Sequence, residues 1–392
     1  MKNNVFDVIL VGGGVMSCAS AFYLLKADKK LKVCIVEKDP TYTYASTPLS
    51  DGNTRIQFNL KENIQISLFG LDVLASFAED MAVNGQKLDI AFRRQGNLFL
   101  VDEDVRVEAE IGLVLQQSLG CDVKWMTPAE IRQIYPLCEP GGCNGATFGA
   151  QDGTMNPWAV LVAYKNKALA LGAEYMHAEA ETILSEENRV TGIRLVGGET
   201  LFAPIVLNGA GAWGAQLALT CGVSLPILPV MRQVFVVETN VRPKGILPGI
   251  FFPSGLYCFH ERNGQFMIGK SLADDPVGFD FRPNKQAFTD QIWPELVEYL
   301  PEFDRLKVTR SWAGLYDVNT LDGNAVLGEW PTLKGFYLAN GFSGHGFQQC
   351  HAVGRYIAEQ MLGMQPVLDL SKFSPERILE NKPVAESKAR LI

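Results

Sequence analysis

Residues 5–37 read VFDVILVGGGVMSCASAFYLLKADKKLKVCIVE. The opening VFDVILV is a short, apolar, β-branched run, which marks a strand buried within a parallel sheet. Three glycines follow at 12–14, VMSCASAFYLLK reads as a helix, and LKVCIVE at 31–37 is a second buried strand ending in an acid. The predicted unit is βαβ, with Gly12-x-Gly14-x-x-Ser17 at the turn and Glu37 twenty residues beyond Ser17. That is the spacing of a dinucleotide site. Gly12 permits the tight turn, and Gly14 lets the backbone approach a pyrophosphate. Val15 and Met16 then open a helix whose unpaired N–H groups and positive dipole end favour that anion. Glu37, followed by Lys38, suits two ribose hydroxyls and repels a 2′-phosphate. Ser17 replaces a third glycine and is small enough for close helix–strand packing. The alternative is a glycine-rich turn that binds nothing.

The rest of the composition narrows the class. A chain of 392 residues, 47% hydrophobic, is long enough for more than one lobe. The net charge of −8, with no basic stripe, argues against nucleic acid as a partner. Eight cysteines are scattered without a CxxC pair, and only Cys138 and Cys143 lie close together. Reduced thiols in a cytoplasmic protein are expected. The uncharged run from Val8 to Leu25 ends near ASA at 19–21, which imitates a secretion signal. Its three central glycines and poor flanking charge fit a strand–turn–helix better, so no transmembrane segment is expected.

Two further stretches bear on the cofactor. ASTPLSDGNTRIQFN at 45–59 is a long polar connection where a simple NAD domain would start another crossover. Residues 187–213 read as strand, Gly-Gly turn, strand, then IVLN running into Gly209-Ala210-Gly211-Ala212-Trp213. A second glycine turn brought back beside the first suits a cofactor buried along its length, which is FAD. An exchangeable nicotinamide is the competing reading.

On these pieces the chain resembles the FAD-dependent amine and amino-acid oxidoreductases, the family of D-amino-acid oxidase, glycine oxidase, sarcosine oxidase and dimethylglycine dehydrogenase. The matching segments are GGGVMS with Glu37, DGNTR at 51–55, LNGAGAW at 207–213, RQVFVVE at 232–238, GLYDVNTLDGNAVLG at 314–328 and NGFSGHGF at 340–347. NGFSGHGF most resembles the sarcosine oxidase branch. The chain is also similar to flavoproteins tied to assembly of respiratory complex I, so an assembly flavoprotein without turnover is the rival function. The resemblance implies an α/β fold: a Rossmann-like FAD-binding domain, parallel sheet plus β-meander, with an interleaved antiparallel-sheet substrate domain. Residues 1–85, 145–220 and 320–365 are assigned to the first, and 86–144 and 221–319 to the second. The polar tail at 366–392 is expected to dock on a partner or remain solvated.

The family also implies oxidation of an amine C–N bond. Hydride passes to flavin N5, the imine hydrolyses, and electrons go to oxygen or to a carrier such as an acceptor protein or a quinone. Thr54 and Arg55, Gly209, Ala210 and Trp213, and Gly314 are assigned to the cofactor. So are Gly344, His345, Gly346, Phe347 and Gln348, at a helix start where N–H groups can stabilise charge at flavin N1/O2. Sarcosine oxidases link flavin through a cysteine two residues before a tyrosine. Here the tyrosine matches Tyr316 and the cysteine position is Gly314, so non-covalent FAD is expected. Gln348 stands where relatives keep a lysine for the substrate carboxylate, so either Arg55 or Arg232 is the cation or the substrate differs; the alternative for both arginines is a structural ion pair. The family's oxygen-activating lysine falls at Met267, with Lys270 nearby. Tyr257, His260 and Tyr316 are the candidate pocket residues; their alternative is a sheet–sheet core. His345 reads as structural or flavin-contacting, and no metal is expected, because His345 and His351 are six apart.

Overall fold

A computed structural model describes residues 4–386. The βαβ unit forms as β1 (Val8–Val11), α1 (Val15–Ala27) and β2 (Val33–Glu37). Every residue of both strands is buried, which is why they read as unbroken apolar runs. They lie inside a six-stranded sheet ordered Val326–Glu329, Phe336–Asn340, Ile205–Asn208, β1, β2, Glu174–His177. All neighbours are parallel except the Val326–Glu329 edge, which pairs antiparallel with Phe336–Asn340.

The meander expected at 187–213 is present: Ala180–Glu186, Arg189–Leu195 and Thr200–Phe202 pair antiparallel, and the chain then enters Ile205–Asn208 beside β1. Register sets the site here. Val11 sits opposite both Val36 and Asn208, so the turns after β1 and Ile205–Asn208 and the acid ending β2 share one edge. This is the carboxyl edge, where ligands bind in open parallel sheets. Helix Gly346–Met361 crosses α1 closely; a Cβ on Gly354 would lie 2.6 Å from the Ala19 Cβ.

The second sheet has eight strands, ordered Leu306–Asn319, Ile227–Thr239, Gln265–Gly269, Tyr257–Arg262, Gly249–Phe251, Asn97–Val101, Gly145–Gly149, Val123–Met126. Gly145–Gly149 pairs with Asn97–Val101 and Val123–Met126, so it joins this sheet rather than the nucleotide half assigned from residue 145 onward. Two elements are shorter or more broken than their patterns suggest. The apolar stretch at 90–101 becomes strand only from Asn97, where Gly96 takes φ +78° against the Phe148 ring. The apolar-patterned stretch at 285–300 runs Lys285–Ala287, a π-turn at Phe288–Ile292, then Trp293–Tyr299. Pro294 cannot donate a backbone hydrogen bond, which accounts for the widened turn before it.

The polar tail packs onto its own chain as far as Glu386. Arg377 is buried and donates to both Asp322 oxygens and to the carbonyls of Phe373, Ser374, Asn324 and Ala325. Glu386 accepts from Asn59 N, Leu60 N and Asn63 Nδ2, covering the start of helix Lys61–Asp80. Part of the stretch is thus anchored on its own chain while much of it stays exposed; residues 387–392 lie outside the described residues. Among the described residues, no helix is long and apolar enough to cross a membrane.

Candidate active site

Gly12 takes φ +89°, and a Cβ there would lie 2.6 Å from the Gly209 carbonyl oxygen and 2.9 Å from the Ala210 Cα. The two glycine turns therefore touch backbone to backbone, which only glycine allows. Gly14, at the N-cap of α1, has open space on the side a Cβ would fill, with Thr47 Oγ1 at 3.7 Å its nearest neighbour. Ser17 is fully buried with its hydroxyl against Gly209, so it packs the turn instead of facing outward. Both Glu37 carboxylate oxygens are occupied on one side: Oε2 accepts from Gly13 N at 2.6 Å and Oε1 from Asp39 N at 2.8 Å. These bonds fix the carboxylate at the cavity wall while leaving each oxygen a further lone pair.

From this cradle a cavity of about 630 Å³ runs to the eight-stranded sheet, within the range usual for ligand pockets. Gly12, Gly14, Val15, Met16, Glu37 and Lys38 line one end, with Gly209, Ala210 and Trp213 beside them. Gly344, Gly346 and Phe347 bring in the start of helix Gly346–Met361. The far end is lined by Asp51, Arg232, Tyr257, Gly314 and Tyr316. Gly344 takes φ +96° and lies flat on Tyr316; a Cβ there would be 2.2 Å from the ring. Trp213 carries the Lys38 ammonium 3.8 Å from its ring centroid. The open face at Gly14, two glycine turns in contact and a carboxylate at the end of β2 fit an adenine dinucleotide of FAD size.

The model of the family described as "FAD dependent oxidoreductase" (DAO) matches residues 7–360. The chain belongs to this family. It is 35% identical to FAD-dependent oxidoreductase domain-containing protein 1 of Xenopus laevis, over 97% of this chain and 84% of that protein. Glycine oxidase of Pseudomonas putida is 28% identical over 94% of this chain and 98% of its own. Among solved structures, L-proline dehydrogenase from P. horikoshii superposes with a TM-score of 0.86 at 24% identity, covering 97% of this chain and all of that one. The DAO-type fold is thereby shown, and the chain is an FAD-dependent oxidoreductase of that family.

Several residues assigned to the DAO site lie behind the cavity wall. Arg55 is buried beneath the floor, its guanidinium 4.6 Å from the Phe58 ring centroid and 5.3 Å from that of Phe99. Its Nη2 lies 3.0 Å from His345 Nε2. Guanidinium only donates, so His345 Nε2 accepts and the ring proton sits on Nδ1. Burial first, then the Arg55 charge, push the His345 pKa down to about 3; a neutral imidazole steadies Arg55. Gln348 turns the same way, its Oε1 accepting from Arg55 N at 2.8 Å, and Thr54 is buried in a short pairing with Gly153. His345, Gln348, Thr54 and Arg55 thus form a support under the cavity rather than its lining.

Strand parity decides two more. Tyr257 and Phe259 pack with Phe99 and Phe251 on the cavity side. His260 points to the opposite face, stacked 4.8 Å from Phe266, with Nδ1 accepting from Leu247 N at 3.2 Å. Successive strand residues alternate faces, so Tyr257 and His260 cannot share a pocket on one regular strand. Likewise Met267 sits opposite Phe259 and packs against the cluster containing Tyr257, whereas Lys270 is paired with Glu295. Arg232 lines the cavity and is held by Asp275 through a 2.8 Å contact from Nη1. Asp317 and Asp51 were missed by sequence reasoning. Asp317 Oδ2 accepts from Gly341 N at 2.7 Å and fixes the loop before Gly344, its pKa raised by burial to about 6. A lone acid inside the apolar strand GLYDVN was the available signal.

Proposed function

We propose that the protein oxidises the C–N bond of a small amine or amino acid, using FAD held without a covalent link. The observation that carries this reading is a single cavity joining the dinucleotide cradle to a far end furnished with Arg232, Tyr257 and Tyr316. Relatives named glycine oxidase and sarcosine oxidase subunit beta support the substrate class. When bound, FAD supplies the acceptor for a hydride from the carbon next to nitrogen. The chain's own residues orient and desolvate. Gly12, Gly14 and the start of α1 hold the pyrophosphate, and Glu37 takes the ribose hydroxyls. The first turn of Gly346–Met361 directs its N–H groups and dipole into the cavity, where they favour developing negative charge. Arg232, kept in place by Asp275, is the cation for a substrate carboxylate, and the Tyr316 ring 5.5 Å from its guanidinium carbon walls that seat.

The same wall bears on the choice between oxygen and a carrier as electron acceptor. With Met267 opposite Phe259 and Lys270 committed to Glu295, no lysine of that strand offers a cation for oxygen activation. Turnover of an amine panel, scored by carbonyl product, is expected to run at least as fast with a dye acceptor as with oxygen. Product from no amine with either acceptor would contradict the function. Gly314 provides no thiol for a flavin bond. Acid precipitation is therefore expected to leave all the flavin in the supernatant, whereas flavin retained on the pellet overturns the non-covalent assignment.

A further inference from the structure

Asp51 opens onto the far end of the cavity, beside Tyr257 and Tyr316. Its Oδ1 accepts from Asn53 N at 3.0 Å, and the Tyr257 hydroxyl interacts with the same carboxyl. It forms no ion pair among the described residues, although the Arg55 charge acts on it from below the floor. Arg55 is turned to His345 below the floor, and Arg232 is held by Asp275. A carboxylate enclosed by protein and held by no ion pair is costly to keep ionised, yet this one faces a space built for a ligand. Tyr316 feels Asp51 from one side and Arg232 from another, so acidic and basic groups border the same compartment.

We infer that Asp51 is the seat of the substrate's ammonium group and takes its proton before oxidation. The inference rests on the amine-oxidation reading above. In the step, one N–H bond breaks and one O–H bond forms on the Asp51 carboxylate. The electron pair stays on nitrogen, where it drives departure of the neighbouring hydride. The proton passes to water after the product leaves, so nothing is oxidised or reduced in this transfer. Burial, the leading influence, raises the Asp51 pKa, with Asn53 N–H, Tyr257 and Arg55 opposing; this brings the carboxyl toward the range of a useful base. The titratable and charged groups acting on it are Tyr257, Tyr316 and Arg55, and Arg232 lines the same cavity.

The test titrates FAD-loaded wild-type and Asp51→Asn protein anaerobically with N-methylglycine and, separately, with acetate, following the visible flavin spectrum. Asparagine keeps the shape and removes the charge, and equal FAD content in the two proteins confirms that the cavity survives. At neutral pH the variant is expected to bind N-methylglycine about tenfold or more weakly, with acetate unchanged or tighter. The defect should shrink as pH rises toward the amine's own ionisation. A variant matching wild type toward N-methylglycine overturns the inference and points to a neutral Asp51. Equal loss of both ligands, or a wild type that binds N-methylglycine no better than acetate, also overturns it. Asp51-dependent binding without bleaching leaves the seat standing and removes the oxidation. Bleaching that is indifferent to the Asp51→Asn change does the reverse.

Discussion

The Gly12→Val variant is expected to purify without flavin, its visible absorbance per protein falling by about two orders of magnitude. Two penalties combine at this position. A non-glycine residue at φ +89° costs about 1–2 kcal/mol. The side chain must then enter the Gly209 carbonyl oxygen at 2.6 Å and the Ala210 Cα at 2.9 Å, which are backbone atoms of the second turn. Only separation of the turns relieves that contact, and it opens the end of the cavity where α1 begins. Gly120→Ala isolates the first penalty: φ is +86°, and nothing lies within 4 Å of the new Cβ. That variant should keep its flavin. Equal flavin content in both would mean that contact between the turns does not shape the cofactor site.

The largest expected loss of stability comes from Arg377→Ala, about 3–5 kcal/mol. Arg377 and Asp322 are both buried, and the guanidinium also satisfies four backbone carbonyls. Alanine would leave the Asp322 carboxylate enclosed without its cation. Asp322 also accepts from Val384 N and Asn324 N, so the tail and the turn after Leu306–Asn319 loosen together. Arg106→Ala is the comparison, since Arg106 pairs with Glu110 across one exposed helix turn. Pairs of that kind contribute about 0–1 kcal/mol. Thermal melts should therefore show a drop of several degrees for Arg377→Ala and almost none for Arg106→Ala. Similar melts would contradict a structural tail.

The cradle was legible because its signals are local. Strand, glycines, helix and strand follow one another within 33 residues, and the physical demand at each position is met by residues nearby in sequence. The far end of the cavity was less legible, since it assembles from distant segments. Asp51 meets Tyr257 across 206 positions, and Arg55 meets His345 across 290. No local pattern says that Arg55 and His345 support the floor, because their arrangement depends on Phe58, Phe99 and Gln348 together. The choice between Tyr257 and His260 was within reach, since strand alternation forbids both facing one pocket. Which of them faces inward depends on the pairing of that strand with Gln265–Gly269 and Gly249–Phe251, which composition does not reveal.

The most direct measurement mixes the FAD-loaded protein with a panel of small primary and N-methylated amines and amino acids in the absence of oxygen. The visible flavin band is followed throughout. The account predicts that at least one amine bleaches the band stoichiometrically, with a carbonyl product appearing in equal amount. A flavin that stays oxidised under every amine, while a chemical reductant bleaches it normally, would contradict the proposed function.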